Sequence, residues 1–506
     1  MLDLAATRPR WGAAALFAAA VAISAFSMLR GIDPFDEGLA LQAAARVASG
    51  EIPYHDFSWA YGPGQTYLLA GLHELFEPSL LAWRIVRVLV NGLVAVAVYA
   101  LVAPRAGRLT AAAAAIVAAA AMAQPLSANP FAPALLFALF AAGAAGAERP
   151  RPVAAGVLTA LAAAWRLDFG VYAGLACLAA FAVRRDARAA LRCGAVAAGG
   201  AVLAYLPFLV VTGPADMWDA LVATELRDRE HWTLPFPLEY DGGLSPWPPG
   251  TLARDLKDLL SFYVPVLLVA GAAVAALGAF LRRRELPPIW AALLVLAGCF
   301  VLYLRTRTDP FHETPLLITL AVLLPLVAAQ AGRRVAVPAV AVLALLGAYV
   351  LANRADALLD PPRLERLALD VADGVRAEPD DAAALPDAVA AVRELAPPGE
   401  PIYVVTQRSD LVRIGHPLFY VLADRPNAMD ADFALQTSAA DQRRVVERLR
   451  AEPPLAVVRW TDPESARREP NERGEPSGSH LLDEYLARAY REYARHGRYV
   501  VLEPRT

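Results

Sequence analysis

The ionisable residues that could do chemistry in this chain sit in a few short clusters, most of which set arginine beside carboxylate. Asp36 and Glu37 stand side by side. A carboxylate there can take a proton from a hydroxyl, or can simply favour a helix start by about 0.3–1 kcal/mol. His55 and Asp56 follow, with Tyr61 just before Gly62-Pro63-Gly64. They could bind a ligand, and a solvated turn around Pro53 explains them equally. Arg84 and Arg87 lie one turn apart if that stretch is helical. Further on, Trp165-Arg166-Leu167-Asp168 and Arg305-Thr306-Arg307-Thr308-Asp309-Pro310-Phe311-His312-Glu313 put Arg and Asp at the edge of apolar runs. Charges there are costly unless they pair or line a wet cavity, so both clusters are expected site walls. Interfacial anchoring by arginine is the alternative. His55-Asp56 and His312-Glu313 could supply metal ligands, yet neither belongs to an H-E-x-x-H set or similar. A divalent metal is possible and not indicated, and no cofactor is required.

Something must hold these clusters together, and composition says what. The 506 residues are 57% hydrophobic and only 19% charged, more apolar surface than a soluble domain carries. Lipid is expected to take the excess. A net charge of −3 gives no basic surplus, which argues against nucleic acid as a partner. Cys177, Cys193 and Cys299 lie in or beside apolar runs and imply no disulfide framework. No phosphate-binding GxxxxGK[ST] loop is present.

Apolar stretches long enough for about 30 Å of hydrocarbon predict eleven transmembrane helices, near 11–30, 83–103, 109–123, 131–147, 152–165, 168–184, 189–211, 259–281, 287–304, 313–330 and 335–352. The third and fifth are the shortest. The first lacks a cleavage pattern and reads as a retained anchor. Arginines fall in every alternate loop, at 8 and 10, 105 and 108, 149 and 151, 184 to 192, 282 to 284, and 333 and 334. Basic loops stay cytoplasmic. The chain is therefore expected to be a multi-pass protein of the cell (cytoplasmic) membrane with its N-terminus in the cytoplasm. Residues 31–82, 212–258 and everything after 352 fall outside, and so do all seven histidines. Any chemistry is expected to be extracytoplasmic. The Pro-rich loop 212–258 is expected to cover or gate a cavity.

In the first outer loop, Asp33-Pro34 reads as a helix start, and Leu39, Ala43 and Val47 continue an amphipathic helix along the membrane surface until Gly50. A second helix, from Gln65 to about Glu77, follows the Tyr61-Gly62-Pro63-Gly64 turn. An acidic pair just after the first span, then Gly50-x-x-Pro53-Tyr54-x-Asp56-Phe57 and that turn, resembles membrane glycosyltransferases of the GT-C fold. Bacterial relatives of protein O-mannosyltransferases and lipid A aminoarabinose transferases are the members it looks most like. The likeness spans residues ~10 to 350 in architecture, with its motifs concentrated in 33–87. It implies a polyprenyl-phosphate-linked sugar as donor, and an envelope glycan, lipid or protein as acceptor. It carries Asp36 and Glu37 over as the acidic motif, with the first carboxylate the usual candidate base. An Arg-x-x-x-Asp-x-x-His pattern at the start of a late span is also similar to such members, and Arg305, Asp309 and His312 fit it.

Such a transfer needs a carboxylate opposite the departing phosphate and cations to hold that phosphate as its charge grows. Arg is the suited clamp, because its planar fork grips phosphate oxygens in pairs. Arg84, Arg87, Arg166, Arg305 and Arg307 are the candidates.

Residues 1–352 thus read as a GT-C-like membrane domain and 353–506 as an extracytoplasmic domain. In the latter, a helix from about 386 to 395, strands at 401–406, 455–460 and 499–502, and helices near 439–451 and 480–496 predict a small α/β domain with a mainly parallel sheet. Residues 427–433 read as a solvated loop that could touch substrate. A transporter or flippase for lipid-linked sugars is the competing class, which charges near the membrane midplane would favour. An inactive scaffold of the same fold is a third.

Overall fold

Proline and glycine punctuate the chain into helices, as the computed structural model shows. It describes residues 10–123, 131–224, 249–283, 285–331, 363–411, 415–432, 438–462 and 476–505, with a few isolated positions between them. Helix α1 spans Arg10–Ala25, α2 Asp36–Ala48, α3 Pro63–Phe76 and α4 Leu80–Ala106. The bundle continues with α5 (Arg108–Met122), α6 (Ala132–Gly146), α7 (Pro152–Trp165), α8 (Leu167–Arg184) and α9 (Ala187–Thr212). A short α10 (Pro214–Trp218), then α11 (Pro249–Arg283), α12 (Pro288–Thr306) and α13 (Pro310–Ala331) complete its described part. Pro opens α3, α6, α7 and α12 in the first turn, where its missing N–H costs nothing. Ser79 caps α4 by accepting the Ala82 amide at 3.3 Å.

Among the described residues, six helices are long and apolar enough to cross a membrane: Leu80–Ala106, Leu167–Arg184, Ala187–Thr212, Phe262–Arg282, Pro288–Thr306 and Pro310–Gln330. This is a multi-pass membrane protein. Four further apolar helices, including the expected first, third and fifth spans, are shorter. The 14 residues of α7 reach only about 21 Å at 1.5 Å per residue. The expected span 335–352 and most of the loop 212–258 lie outside the described residues. Helix α6 is apolar all round and almost wholly buried, as a central helix must be. On α9 and α11, by contrast, Leu203, Val210, Leu267 and Val274 are exposed, the faces a bilayer would cover.

Helix α2 is buried against α3 on one side and the C-terminal domain on the other, partners that its own amphipathic pattern does not name. Residue 38 must be glycine for this: a Cβ there would stand 2.2 Å from the Leu418 nitrogen.

In the C-terminal domain a two-residue ladder, β1 (Glu365–Arg366) with β2 (Arg376–Ala377), precedes helix α14 (Pro379–Leu395). Then come β3 (Tyr403–Thr406), α15 (Leu418–Ala423), α16 (Ala439–Ala451), β4 (Val457–Trp460), α17 (Leu481–Ala489), β5 (Tyr490–His496) and β6 (Tyr499–Pro504). The main sheet runs β3-β4-β6-β5. Only β3 and β4 are parallel, in the register Tyr403↔Val457; the other pairs are antiparallel. Helices and strands alternate here, and the sheet is mixed where a mainly parallel one is expected. Residues 490–496 form a strand rather than the end of a helix because they close a hairpin on β6.

Candidate active site

Asp36 opens α2. The carboxylate of Asp33 accepts the Phe35 and Asp36 amides at 3.1 and 3.0 Å, so the capping work belongs to Asp33 and the Asp36 side chain is left for another role. Asp36 is enclosed by protein yet keeps some accessible surface. Burial pushes its carboxyl above the ordinary range, Asp309 adds to the rise, and His312, Arg307 and Arg166 pull against it. Those four neighbours come from two other segments far apart in sequence.

Glu37 has a different fate. It is 1% exposed, and Arg84 grips it with two hydrogen bonds of 2.7 Å. The same guanidinium donates to the carbonyls of Met28 and Gly31 at 2.9 Å each. Both charges are thereby consumed in fastening the first loop to α4. Arg87, one turn on, is also buried and lies in the field of Glu37 and Asp33.

Arg166 stands at the break between α7 and α8. Its fork holds Asp168 at 3.1 and 2.9 Å, and its guanidinium lies over the rings of Tyr61, Phe169 and Tyr303 at 5.1 to 5.2 Å. The Tyr303 ring in turn packs 4.8 Å from His312. The Asp309 carboxylate takes one hydrogen bond from Arg307 at 3.0 Å and, through its other oxygen, meets the His312 amide and Nδ1 at 2.8 Å each. Aromatic and charged contacts therefore run without interruption from Tyr61 through Arg166 and Tyr303 to His312 and Asp309. Asp36 adds its charge to this field.

The remaining expected residues are not drawn in. His55 and Asp56 form an exposed turn, in which Asp56 accepts the Ile52 amide at 2.7 Å and pairs with the His55 ring at 2.8 Å. These bonds hold the Asp56 carboxyl below its usual range. Arg305 is exposed on the last turn of α12. Tyr303 is not legible in the sequence as a member of this cluster, because an aromatic at a span end ordinarily reads as an interfacial anchor. Among the described residues no group of three or more His, Cys, Asp or Glu could hold a metal ion.

At the opposite end of the bundle, Arg184 donates to the Ala147 carbonyl, so basic loops gather there and the acidic and aromatic cluster here. The family model of glycosyltransferase family 87 matches residues 59–306. ArnT from Cupriavidus metallidurans, in its crystal structure bound to undecaprenyl phosphate, superposes with a TM-score of 0.56 at 16% identity, over 98% of each chain. The chain has the GT-C fold. The GT-C likeness extends to the Archaeoglobus fulgidus oligosaccharyltransferase, solved in complex with zinc and sulfate, with a TM-score of 0.53 and 16% identity over 88% of this chain and 67% of that one. Comparison with curated proteins found no match. The GT-C resemblance was carried in sequence by residues 33–87, and the family match begins inside that stretch. The zinc of the archaeal structure has no evident cage among the described residues here.

Proposed function

We propose that this GT-C protein is a membrane glycosyltransferase that moves a sugar, a hexose or a pentose, from a polyprenyl-phosphate donor to an envelope glycan, lipid or protein at the outer face of the cell membrane, with Asp36 as base. One observation carries the reading: a carboxylate with spare surface stands in the field of Arg166, Arg307 and His312. The undecaprenyl phosphate bound to the structurally similar ArnT supports the choice of donor.

In this scheme the acceptor hydroxyl gives its proton to an Asp36 oxygen as its own oxygen attacks the anomeric carbon. The bond from that carbon to the phosphate oxygen breaks, and the electron pair leaves with the phosphate. Arg166 and Arg307 meet the growing negative charge, where fixed donors act without reorganisation. Burial of Asp36 strengthens it as a base by lifting its pKa toward the working pH. Arg84 serves less well as the clamp, because it is sealed with Glu37 at 3% exposure, whereas Arg166 and Arg307, though paired with Asp168 and Asp309, keep accessible surface.

The test is sugar transfer by purified protein in detergent from a panel of radiolabelled polyprenyl-phosphate sugars, comparing wild type with Asp36→Asn. Asn keeps size and hydrogen bonding but cannot accept the proton. Transfer that collapses by roughly 10²–10⁴-fold in the variant, the scale of a lost general base, is the expected result. Equal rates in both would remove Asp36 from that role.

A further inference from the structure

We infer that the C-terminal domain positions the base: it fastens helix α2 at both ends, and Arg46 is the positioning residue through which it fixes Asp36. The inference rests on Asp36 acting as base. It starts from a stretch that reads in sequence as a solvated loop, residues 427–433. Asn427 and Asp432 are instead buried, and Asp432 is turned onto α2.

At the far end of α2, Arg46 is only 5% exposed. Its Nε and Nη2 donate to the two oxygens of Asp432 at 3.1 and 3.2 Å. Nη2 also donates to the Met429 carbonyl, and Nη1 to Glu51 at 2.7 Å. The guanidinium lies 5.2 Å from the centre of the Phe57 ring. Asn427 holds Asp432 in place with a 2.7 Å hydrogen bond, and just past Phe57 the Ser58 amide donates to the Asp430 carbonyl at 2.7 Å.

The near end is fastened as well. The Gly31 amide donates to Arg376 at 2.7 Å, and the Arg376 amide to Leu29 at 2.9 Å. The Leu418 amide donates to the Pro34 carbonyl at 3.1 Å, and Gly38 lets Leu418 close on the helix backbone. Arg376, Leu418, Met429, Asp430 and Asp432 all belong to the C-terminal domain.

A buried ion pair is a poor way to gain stability, because desolvation offsets its attraction, and its attested use is to fix one geometry. Here geometry matters. The 13 residues of α2 span about 20 Å, so a tilt of ~3° about one end moves the other by about 1 Å. Misplacement of that size costs on the order of 10²-fold in rate. Arg46 lies ten residues, about 15 Å of helix rise, from Asp36. It touches no reacting atom.

The experiment uses the full chain in detergent, with Arg46→Lys, which keeps the charge but loses the fork, and Asp432→Asn, a milder change that keeps the reading available if the first variant fails to fold. Three quantities are read: kcat and KM for transfer, equilibrium binding of polyprenyl phosphate, and amide hydrogen exchange across residues 36–48. A fall in kcat of roughly 10–10²-fold, with polyprenyl phosphate affinity within about threefold of wild type and faster exchange in α2, is the expected result. Wild-type kcat alongside faster exchange would overturn the inference, as would a loss of polyprenyl phosphate binding that matches the loss of rate. Inactive Asp36→Asn with fully active Arg46→Lys removes this inference alone. Fully active Asp36→Asn removes the base reading and this inference with it.

Discussion

Successive residues on a helix are turned by about 100°, so the two carboxylates that open α2 cannot share one set of neighbours. Glu37 meets Arg84 and is buried with it, whereas Asp36 faces the field of Arg166, Arg307 and His312. Their separate fates make separate predictions. Glu37→Gln leaves the Arg84 charge buried without its partner, a loss of about 3–5 kcal/mol. Thermal unfolding should show it as a lower midpoint, and the folded fraction should still bind polyprenyl phosphate; an unchanged midpoint would refute the ion-pair account. For Asp36 the signature is pH. A base must be ionised, and burial raises this one, so the acid limb of kcat/KM should lie above the ordinary carboxylate value of about 3.9. Arg307 lowers it. Arg307→Gln should therefore move the limb to higher pH, and a shift to lower pH would contradict the arrangement. The sequence displayed the acidic pair but could not say which member would be sealed in an ion pair, because that depends on where Arg84 sits, 47 residues away.

At the scale of elements, legibility followed the strength of the local pattern. The long apolar runs between basic loops gave the spans 80–106, 167–184 and 187–212 to within a few residues. Alternating residues such as Tyr403-Val404-Val405 gave strands. What failed was decided by partners distant in sequence. Tyr490 to His496 is rich in residues that suit a helix, and pairing with β6 overrides that preference. Nothing near helix α2 in sequence announces its packing against Leu418. Close approach has a testable cost at a second glycine. The Gly62 amide donates to the Trp165 carbonyl at 3.1 Å, and a Cβ at this position would stand 2.2 Å from the Ala164 carbonyl oxygen. Gly62→Ala should push the start of α3 off α7, costing about 1–3 kcal/mol, and carry Tyr61 away from Arg166. Transfer should weaken along with the thermal midpoint. Retention of both would mean that the loop relaxes without disturbing the stack.

The whole molecule joins a lipid-facing bundle to a domain that does not enter it, and the domain carries its own dependence on pH. His416 is 2% exposed and pairs through Nε2 with the Tyr499 hydroxyl at 3.3 Å, which donates to Asp381 at 3.0 Å. Burial, with Arg498 also nearby, holds this imidazole down at about 3. Unfolded, it would titrate near 6.5. A depressed folded value means that the unfolded chain takes up the proton first. Its contribution is therefore complete above about pH 6.5 and is lost progressively as pH falls toward 3, amounting to about 2 kcal/mol by pH 5. Asp381 works the other way. Burial lifts its folded value, Arg498 and Tyr499 pull against that rise, and its contribution is present at low pH and lost as pH rises through the lifted value. The imidazole's window includes pH 5, so the domain should melt earlier at pH 5 than at pH 7.5, and His416→Gln should flatten that slope in the full chain. Because the same domain grips both ends of α2, hydrogen exchange across residues 36–48 should quicken over the same range in wild type and not in the variant. A midpoint that does not move between pH 7.5 and pH 5 would remove His416 from this role. Exchange in α2 that ignores the domain's melting would separate the domain's stability from the placement of Asp36.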